Sequence, residues 1–359
     1  MNDRLARCRA ALDDLGLDGA VISAPADVRY LSGFRGDDTL LIVARDAALI
    51  CTDARYWEQA REEAPGFELI EAVGADLIAD TVAAAAQRLG ADARLGFQGA
   101  SLNYQQYRRL RRLHRGRLRD VGGRMSRLRM VKDAAEIAVM RRAGALTDQA
   151  LAAVVGRGLV GRREADVAWD LLSEYHRLGA DGEAFPAIVA GGAHGAQAHA
   201  IPGERVIVSG ELVVIDTGAR LDGYCSDITR TFAAGEPGDE LRRVYDVVHA
   251  AQLAGLAAVR DGAHGRADVD AAARAVITAA GYGEKFGHGT GHGVGLDVHE
   301  APGLGRTRGD PLAAGMVCTV EPGIYIEGLV GVRIEDTVLV TAAGCERLTA
   351  FPKELQVVA

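Results

Sequence analysis

Two stretches of this chain read in the same order: an apolar run, a carboxylate, one residue, a glycine, a turn, a second carboxylate, one residue and a threonine. The first is Val213-Val214-Ile215-Asp216-Thr217-Gly218, a turn at Asp222-Gly223, then Cys225-Ser226-Asp227-Ile228-Thr229. The second is Cys318-Thr319-Val320-Glu321-Pro322-Gly323, a turn near Glu327-Gly328, then Val332-Arg333-Ile334-Glu335-Asp336-Thr337. The acids stand eleven residues apart in one copy and fourteen in the other, a difference that a loop absorbs. This weak internal repeat predicts two related hairpins facing a shared centre.

Hairpin geometry sharpens the reading. If Asp222-Gly223 forms a two-residue turn, Leu221 pairs with Tyr224, and counting back sets Asp216 opposite Thr229. Asp227 then lies on the same face, diagonal to Asp216 and roughly 7–8 Å from it at the backbone. Two acids on a half-solvated strand are ordinary surface features. Here Asp216 ends the apolar run Leu212 to Ile215, which should be buried, and an unpaired buried carboxylate is costly. A cation between the two acids removes that cost.

A third element is Gly287-His288-Gly289-Thr290-Gly291-His292-Gly293-Val294-Gly295. Five glycines at alternate positions would each cost about 1 kcal/mol in a helix, so the segment must be extended or looped. Extended at roughly 3.3 Å per residue, His288 and His292 stand some 13 Å apart and should not both bind one ion. One is expected as a ligand and the other beside a substrate. Five of the nine histidines (His194, His199, His288, His292, His299) fall within 194–199 and 288–299, which points to a site there. Four carboxylates and one histidine form an oxygen-rich ligand set suited to Mn²⁺, Co²⁺, Fe²⁺ or Zn²⁺ in a pair sharing carboxylates. Two such ions generate hydroxide at neutral pH and polarise a carbonyl. Nucleophilic-serine and phosphate-loop motifs are absent, and the glycines of 287–295 do not satisfy G-x-G-x-x-G.

Composition narrows the class further. With 359 residues, 48% hydrophobic and 25% charged, the chain has the balance of a globular protein and the length for two domains. No apolar run approaches a membrane span, the N-terminus is charged every few residues, and the five scattered cysteines form neither a disulfide framework nor a zinc finger. A cytoplasmic protein without a membrane partner is expected. The net charge of −8 argues against nucleic acid. Ten arginines between Arg108 and Arg129 run the other way, but arginine outnumbers lysine 38 to 3 throughout and no aromatic interleaving accompanies them.

The first 120 residues alternate helix and strand: Asp3 to Leu15 and Leu77 to Leu89 read as helices, and GAVIS, TLLIVA and AALICT as strands. A small α/β domain over residues 1–123 is expected, its boundary at the glycine pair Gly122-Gly123, followed by an α+β domain over 124–359 that carries the chemistry. Asp133 and Glu136 form a capping-box start to a helix, and further helices are expected at Glu164 to Leu178, Leu241 to Val259 and Val269 to Ala280.

The segments VIDTGARLDGYCSDITRTF, GHGTGHGVGLDVHEAPG, TVEPGIY and GVRIEDT, in that order, resemble the metallopeptidase family of aminopeptidase P, prolidase, methionine aminopeptidase and creatinase. RLARCRAALDDLGLDGAVISAPADVRYLSGFRGDDTLLIV resembles the N-terminal domain of its creatinase and Xaa-Pro peptidase branch. The resemblance implies a pita-bread catalytic domain preceded by a smaller creatinase-type α/β domain. It implies two divalent ions, manganese first with cobalt, zinc or iron as alternatives, on Asp216, Asp227, His292, Glu321 and Glu335. Glu321 would also help deprotonate the attacking bridging water. His199, His288 and His299 would contact the scissile carbonyl or tetrahedral intermediate, Arg333 and Tyr325 would support the site or touch substrate, and Phe185 would wall a prolyl ring. At 198, alanine stands where relatives usually have proline before the histidine. The implied activity is that of a homodimeric Xaa-Pro peptidase acting on peptides with proline second. Aminopeptidase P is preferred on motif text and length, with prolidase as the alternative and a non-catalytic binding protein as a remote one.

Overall fold

The short apolar runs of the first third form one mixed sheet in the computed structural model, which describes residues 2–74, 76–307 and 309–358. The chain divides into two units, Met1–Arg129 and Met130–Ala359. In the first, the order is α1 (Asn2–Asp14), β1 (Gly19–Ile22), α2 (Pro25–Ser32), β2 (Thr39–Ala44), β3 (Ala48–Asp53), α3 (Trp57–Glu63), β4 (Glu68–Ala72), α4 (Leu77–Leu89), β5 (Leu95–Phe97), α5 (Tyr104–Leu113), β6 (Leu118–Asp120) and α6 (Gly122–Arg127). The sheet order is β4-β3-β2-β1-β5-β6. Antiparallel pairing joins β1, β2 and β3, while β3 with β4, β1 with β5 and β5 with β6 are parallel. The parallel neighbours β3 and β4, and β5 and β6, are connected through α3 and α5, as parallel strands require.

The glycine pair is not the boundary between the units. Gly122 and Gly123 open α6, where the Gly122 amide donates to Asp120 Oδ1 at 2.9 Å, and the division falls after Arg129. A helix start tolerates glycine when a side chain caps its free amides.

The second unit builds the same pattern twice. One half comprises α7 (Ala134–Val155), α8 (Glu164–Arg177), β7 (Gly182–Glu183), β8 (Ile188–Gly191), β9 (Glu211–Thr217), β10 (Ala219–Leu221), β11 (Tyr224–Cys225) and β12 (Ile228–Ala234). The other comprises α9 (Asp239–Ala258), α10 (Ala271–Ala279), β13 (Gly291–Gly293), β14 (Glu300–Leu304), β15 (Val317–Val320), β16 (Gly323–Ile326), β17 (Val330–Arg333), β18 (Asp336–Val340) and β19 (Cys345–Arg347), with β20 (Val357–Val358) closing the chain. Each half runs from two helices to a strand (β9, β15), a short hairpin (β10 and β11, β16 and β17) and a returning strand (β12, β18). The sheets are ordered β20-β12-β9-β8 and β14-β13-β15-β18-β19.

Local chemistry sets the entry and the turns. Asp133 accepts from Glu136 N at 2.9 Å while Glu136 reaches back to Asp133 N at 2.8 Å, so the capping box starts α7. Asp222 and Gly223 have φ of 47° and 77°, the left-handed pair that a tight hairpin needs, and the register follows: Leu221 faces Tyr224 and Asp216 faces Thr229. Strand β12 is buried along its whole length. One core packs Leu151, Val154 and Tyr175 of α7 and α8 against Val213, Ile215 and Phe232; another packs Val244, Val248 and Ile277 of α9 and α10 against Ile324 and Val332. Among the described residues no helix is long and apolar enough to cross a membrane.

Candidate metal centre

Five strands bring five side chains to one place. Asp216 is next to last on β9, Asp227 stands just ahead of β12, His292 is the middle residue of β13, Glu321 follows β15, and Glu335 precedes β18. All five line a single cavity of about 570 Å³. The glycines around His292 are there for proximity: a Cβ on Gly291 would lie 2.1 Å from Thr319 O, and one on Gly293 would lie 2.3 Å from Ala301 O. Only hydrogen at these positions lets β13 sit between β14 and β15 with its imidazole turned to the carboxylates.

Asp227, His292 and Glu335 each offer a ligand atom, all within 4.8 Å of one another. His292 Nε2 stands 3.2 Å from Glu321 Oε1 and 3.7 Å from Asp227 Oδ2. Glu335 accepts from Thr229 Oγ1 at 2.6 Å, and Asp216 Oδ2 accepts from Arg333 Nη2 at 2.7 Å. The other oxygen of Asp216, Oδ1, is buried without a hydrogen-bond partner among the described residues.

The electrostatics match a site missing positive charge. Burial, then the neighbouring Glu335 and Asp216, push the Asp227 carboxyl well above its ordinary range; burial, then Glu321 and Asp216, do the same to Glu335. Burial also raises Asp216, against the pull of Arg333. Burial opposes charge on Glu321 and His292 as well, yet their mutual hydrogen bond wins, holding Glu321 down at about 2 and His292 up at about 9. Four buried or half-buried carboxylates outnumber the one imidazole and one guanidinium beside them, and further positive charge favours their ionisation. The unpartnered Asp216 Oδ1, the shared centre and the oxygen-rich donor set therefore fit divalent metal.

The three further histidines differ. His199 and His299 line the cavity from exposed positions, and His299 meets the His292 ring edge-on with centroids 4.2 Å apart. His288 also lines it, but both ring nitrogens are engaged: Nδ1 donates to Gly289 O at 2.7 Å, which leaves Nε2 to accept from the Tyr325 hydroxyl at 2.9 Å. Burial holds its pKa below the ordinary histidine value, in keeping with a neutral ring. Tyr325 itself is not part of the cavity lining. Its hydroxyl takes a hydrogen bond from Arg333 Nη1 at 2.7 Å, so it links His288 to the arginine that holds Asp216. Of the two roles expected for Tyr325, support of the site or contact with substrate, these hydrogen bonds fit the first. Phe185 lines the cavity, beside Pro186, Ile188, Ala200, Ile201 and Val298.

Beyond Phe185, the members of that apolar wall were not foreseen from the sequence, since they come from three segments with no shared motif. Sequence reading also missed Thr229 as a bridge between Arg333 Nε, at 3.0 Å, and Glu335. The repeat carried the signal for Thr229, since the residue closes the first copy of the pattern.

A pita-bread fold with convergent carboxylates and one inward imidazole defines a metal-dependent hydrolase. The model of metallopeptidase family M24 matches residues 138–342, and that of the creatinase/prolidase N-terminal domain matches residues 4–131. The chain belongs to metallopeptidase family M24, in a two-domain form with a creatinase/prolidase-type N-terminal domain. It is 34% identical to the Xaa-Pro dipeptidase of Pyrococcus furiosus across 99% of this chain and 100% of that protein. Among solved structures, a Xaa-Pro dipeptidase from Bacillus anthracis matches with a TM-score of 0.94 and 39% identity over 99% of both chains. The X-Pro aminopeptidase from Thermotoga maritima matches at 0.89 and 34% over 99% of this chain and 100% of that one.

Proposed function

We propose that this protein is a Xaa-Pro dipeptidase that hydrolyses the bond before a C-terminal proline at a centre of two divalent ions. The observation that carries the metal chemistry is the convergence of Asp216, Asp227, His292, Glu321 and Glu335 on one cavity, with an unpartnered buried oxygen among them. The choice of dipeptidase is supported by full-length likeness to proteins of that description, which favours the alternative over the aminopeptidase P reading preferred from motif text. Likeness to the Thermotoga X-Pro aminopeptidase keeps cleavage of longer Xaa-Pro peptides as the second reading.

Bound at these five residues, divalent ions would supply an acidified water and an electrophile for the scissile carbonyl. Manganese suits the carboxylate-rich set, with cobalt, iron or zinc as alternatives. Glu321 receives the proton of the attacking water. His199 and His299, whose rings face the cavity, hydrogen-bond the developing oxyanion and deliver a proton to the prolyl nitrogen as the C–N bond breaks. Arg333 balances Asp216, and Tyr325 with His288 holds Arg333 in place. Phe185 and the apolar residues beside it enclose the pyrrolidine ring without competing for its polar ends.

Xaa-Pro and Xaa-Pro-Yaa-Zaa offered at matched concentration test the choice. A kcat/KM at least about tenfold higher for the dipeptide, equivalent to about 1.4 kcal/mol of discrimination, supports it. Preferred cleavage of the tetrapeptide transfers the assignment to an aminopeptidase P and leaves the metal chemistry standing.

A further inference from the structure

Beyond its edge-on contact with the His292 ring, His299 has little to hold its place. It ends the irregular turn 294–299 between β13 and β14, is exposed, and has no hydrogen bond to its ring among the described residues. The next residue is different. Glu300 turns away from the cavity and pairs with Lys132 at 2.7 Å, and the two side chains are only 2% and 1% exposed. Neither residue lines the cavity.

The pair is fastened at both ends. Lys132 donates its backbone amide to Gly315 O at 2.9 Å, and the preceding Val131 bridges Met316, so the lysine stem starts from a fixed strap. The Glu300 carboxylate folds back under its own turn against Gly295, where a Cβ would lie 2.4 Å from Oε1. Gly295 in turn accepts from Cys225 N at 2.8 Å, which ties the turn to the hairpin that carries Asp227. Burying two charges is expensive, and well-packed apolar side chains would stabilise the same place as well or better. A buried pair directly beside a histidine held only by a ring contact calls for a role other than stability.

We propose that the Lys132–Glu300 ion pair positions His299 over the metal centre, acting as a positioning element for the hydrolysis read above. It rests on that reading in one respect, that His299 touches the reacting peptide. By clamping the backbone one residue away, the pair sets where the imidazole points while leaving both ring nitrogens free for substrate.

The test is a double-mutant cycle on the metal-loaded, full-length enzyme, with kcat, KM, metal content and Tm measured for each variant. H299A is expected to lower kcat about 100-fold or more. E300Q is expected to lower kcat about 10- to 100-fold with KM and metal content nearly unchanged, and K132R to recover most of the activity lost in K132M. In the H299A background, E300Q should add less than about threefold, because the effect passes through the missing ring. Losses that multiply in the double variant would overturn the inference while leaving the role of His299 intact. H299A with undiminished turnover would overturn both. The K132M/E300M variant covers a failure of E300Q to fold: recovered Tm with turnover still low supports positioning, whereas recovery of both would reduce the pair to a structural one.

Discussion

The His292 imidazole stays protonated to about pH 9 while it is paired with Glu321, and a protonated nitrogen cannot bind metal. Its pKa is raised by folding, so the pair stabilises the metal-free fold at neutral pH and loses that contribution as pH rises through about 9. Asp227 and Glu335, raised by burial and mutual repulsion, must also give up protons before they ligate. Metal uptake is therefore expected to release protons and to tighten with rising pH, which calorimetry in buffers of different ionisation enthalpy measures directly. Uptake without proton release would show that these groups enter the reaction already ionised. Two substitutions separate ligand from support. Asp227→Asn should cost at least about 100-fold in kcat together with bound metal, since the lost ligand sits between two others. Tyr325→Phe should keep the metal and lower kcat about tenfold, because only the link from His288 to Arg333 is removed.

At the scale of single elements, the packing of β13 is the sharpest constraint. Gly291→Ala drives a methyl group into Thr319 O and should destabilise the fold by about 1–3 kcal/mol, whereas Gly287→Ala meets nothing within 4 Å and should be nearly neutral; thermal unfolding compares them. The buried ions of β12 and β18 give a second test. Arg230, only 1% exposed, pairs with Asp336 at 2.7 Å and donates to the carbonyls of Phe351 and Pro352, while Lys353 reaches the same aspartate at 2.8 Å. Arg230→Met should lower stability by about 3–5 kcal/mol, read as a shift in the urea midpoint. These two cases also show what a sequence discloses. The capping box at Asp133 and Glu136, the Asp222-Gly223 turn and the resulting Asp216 register were legible because each depends on residues a few positions apart. Glycines at alternate positions excluded a helix for the same reason. The Arg230, Asp336 and Lys353 network, the Lys132–Glu300 pair and the apolar wall of the cavity beyond Phe185 were not legible, because their members meet only after distant segments fold together. The glycine pair at 122–123 opens α6, with the Gly122 amide donating to Asp120, and the division between the units falls a few residues later, after Arg129.

At the largest scale, the repeat is the principle of construction of the second unit. Two helix-pair and hairpin halves enclose one centre, and each supplies two acids, so neither half alone can assemble it. His292 adds the single nitrogen from the strand that the glycines make room for. On the function proposed above, activity is expected to depend on metal and on both halves of the ligand set. The direct measurement is a titration of chelator-treated, metal-free protein with Mn²⁺ while hydrolysis of a Xaa-Pro dipeptide is followed, run in parallel on the natural chain and on variants Asp227→Asn and Glu335→Gln, one acid from each half. The account predicts no hydrolysis without metal, activity that rises with metal bound, and neither variant restored by saturating Mn²⁺. Full hydrolysis by the metal-free protein, or undiminished activity in either variant, would contradict it.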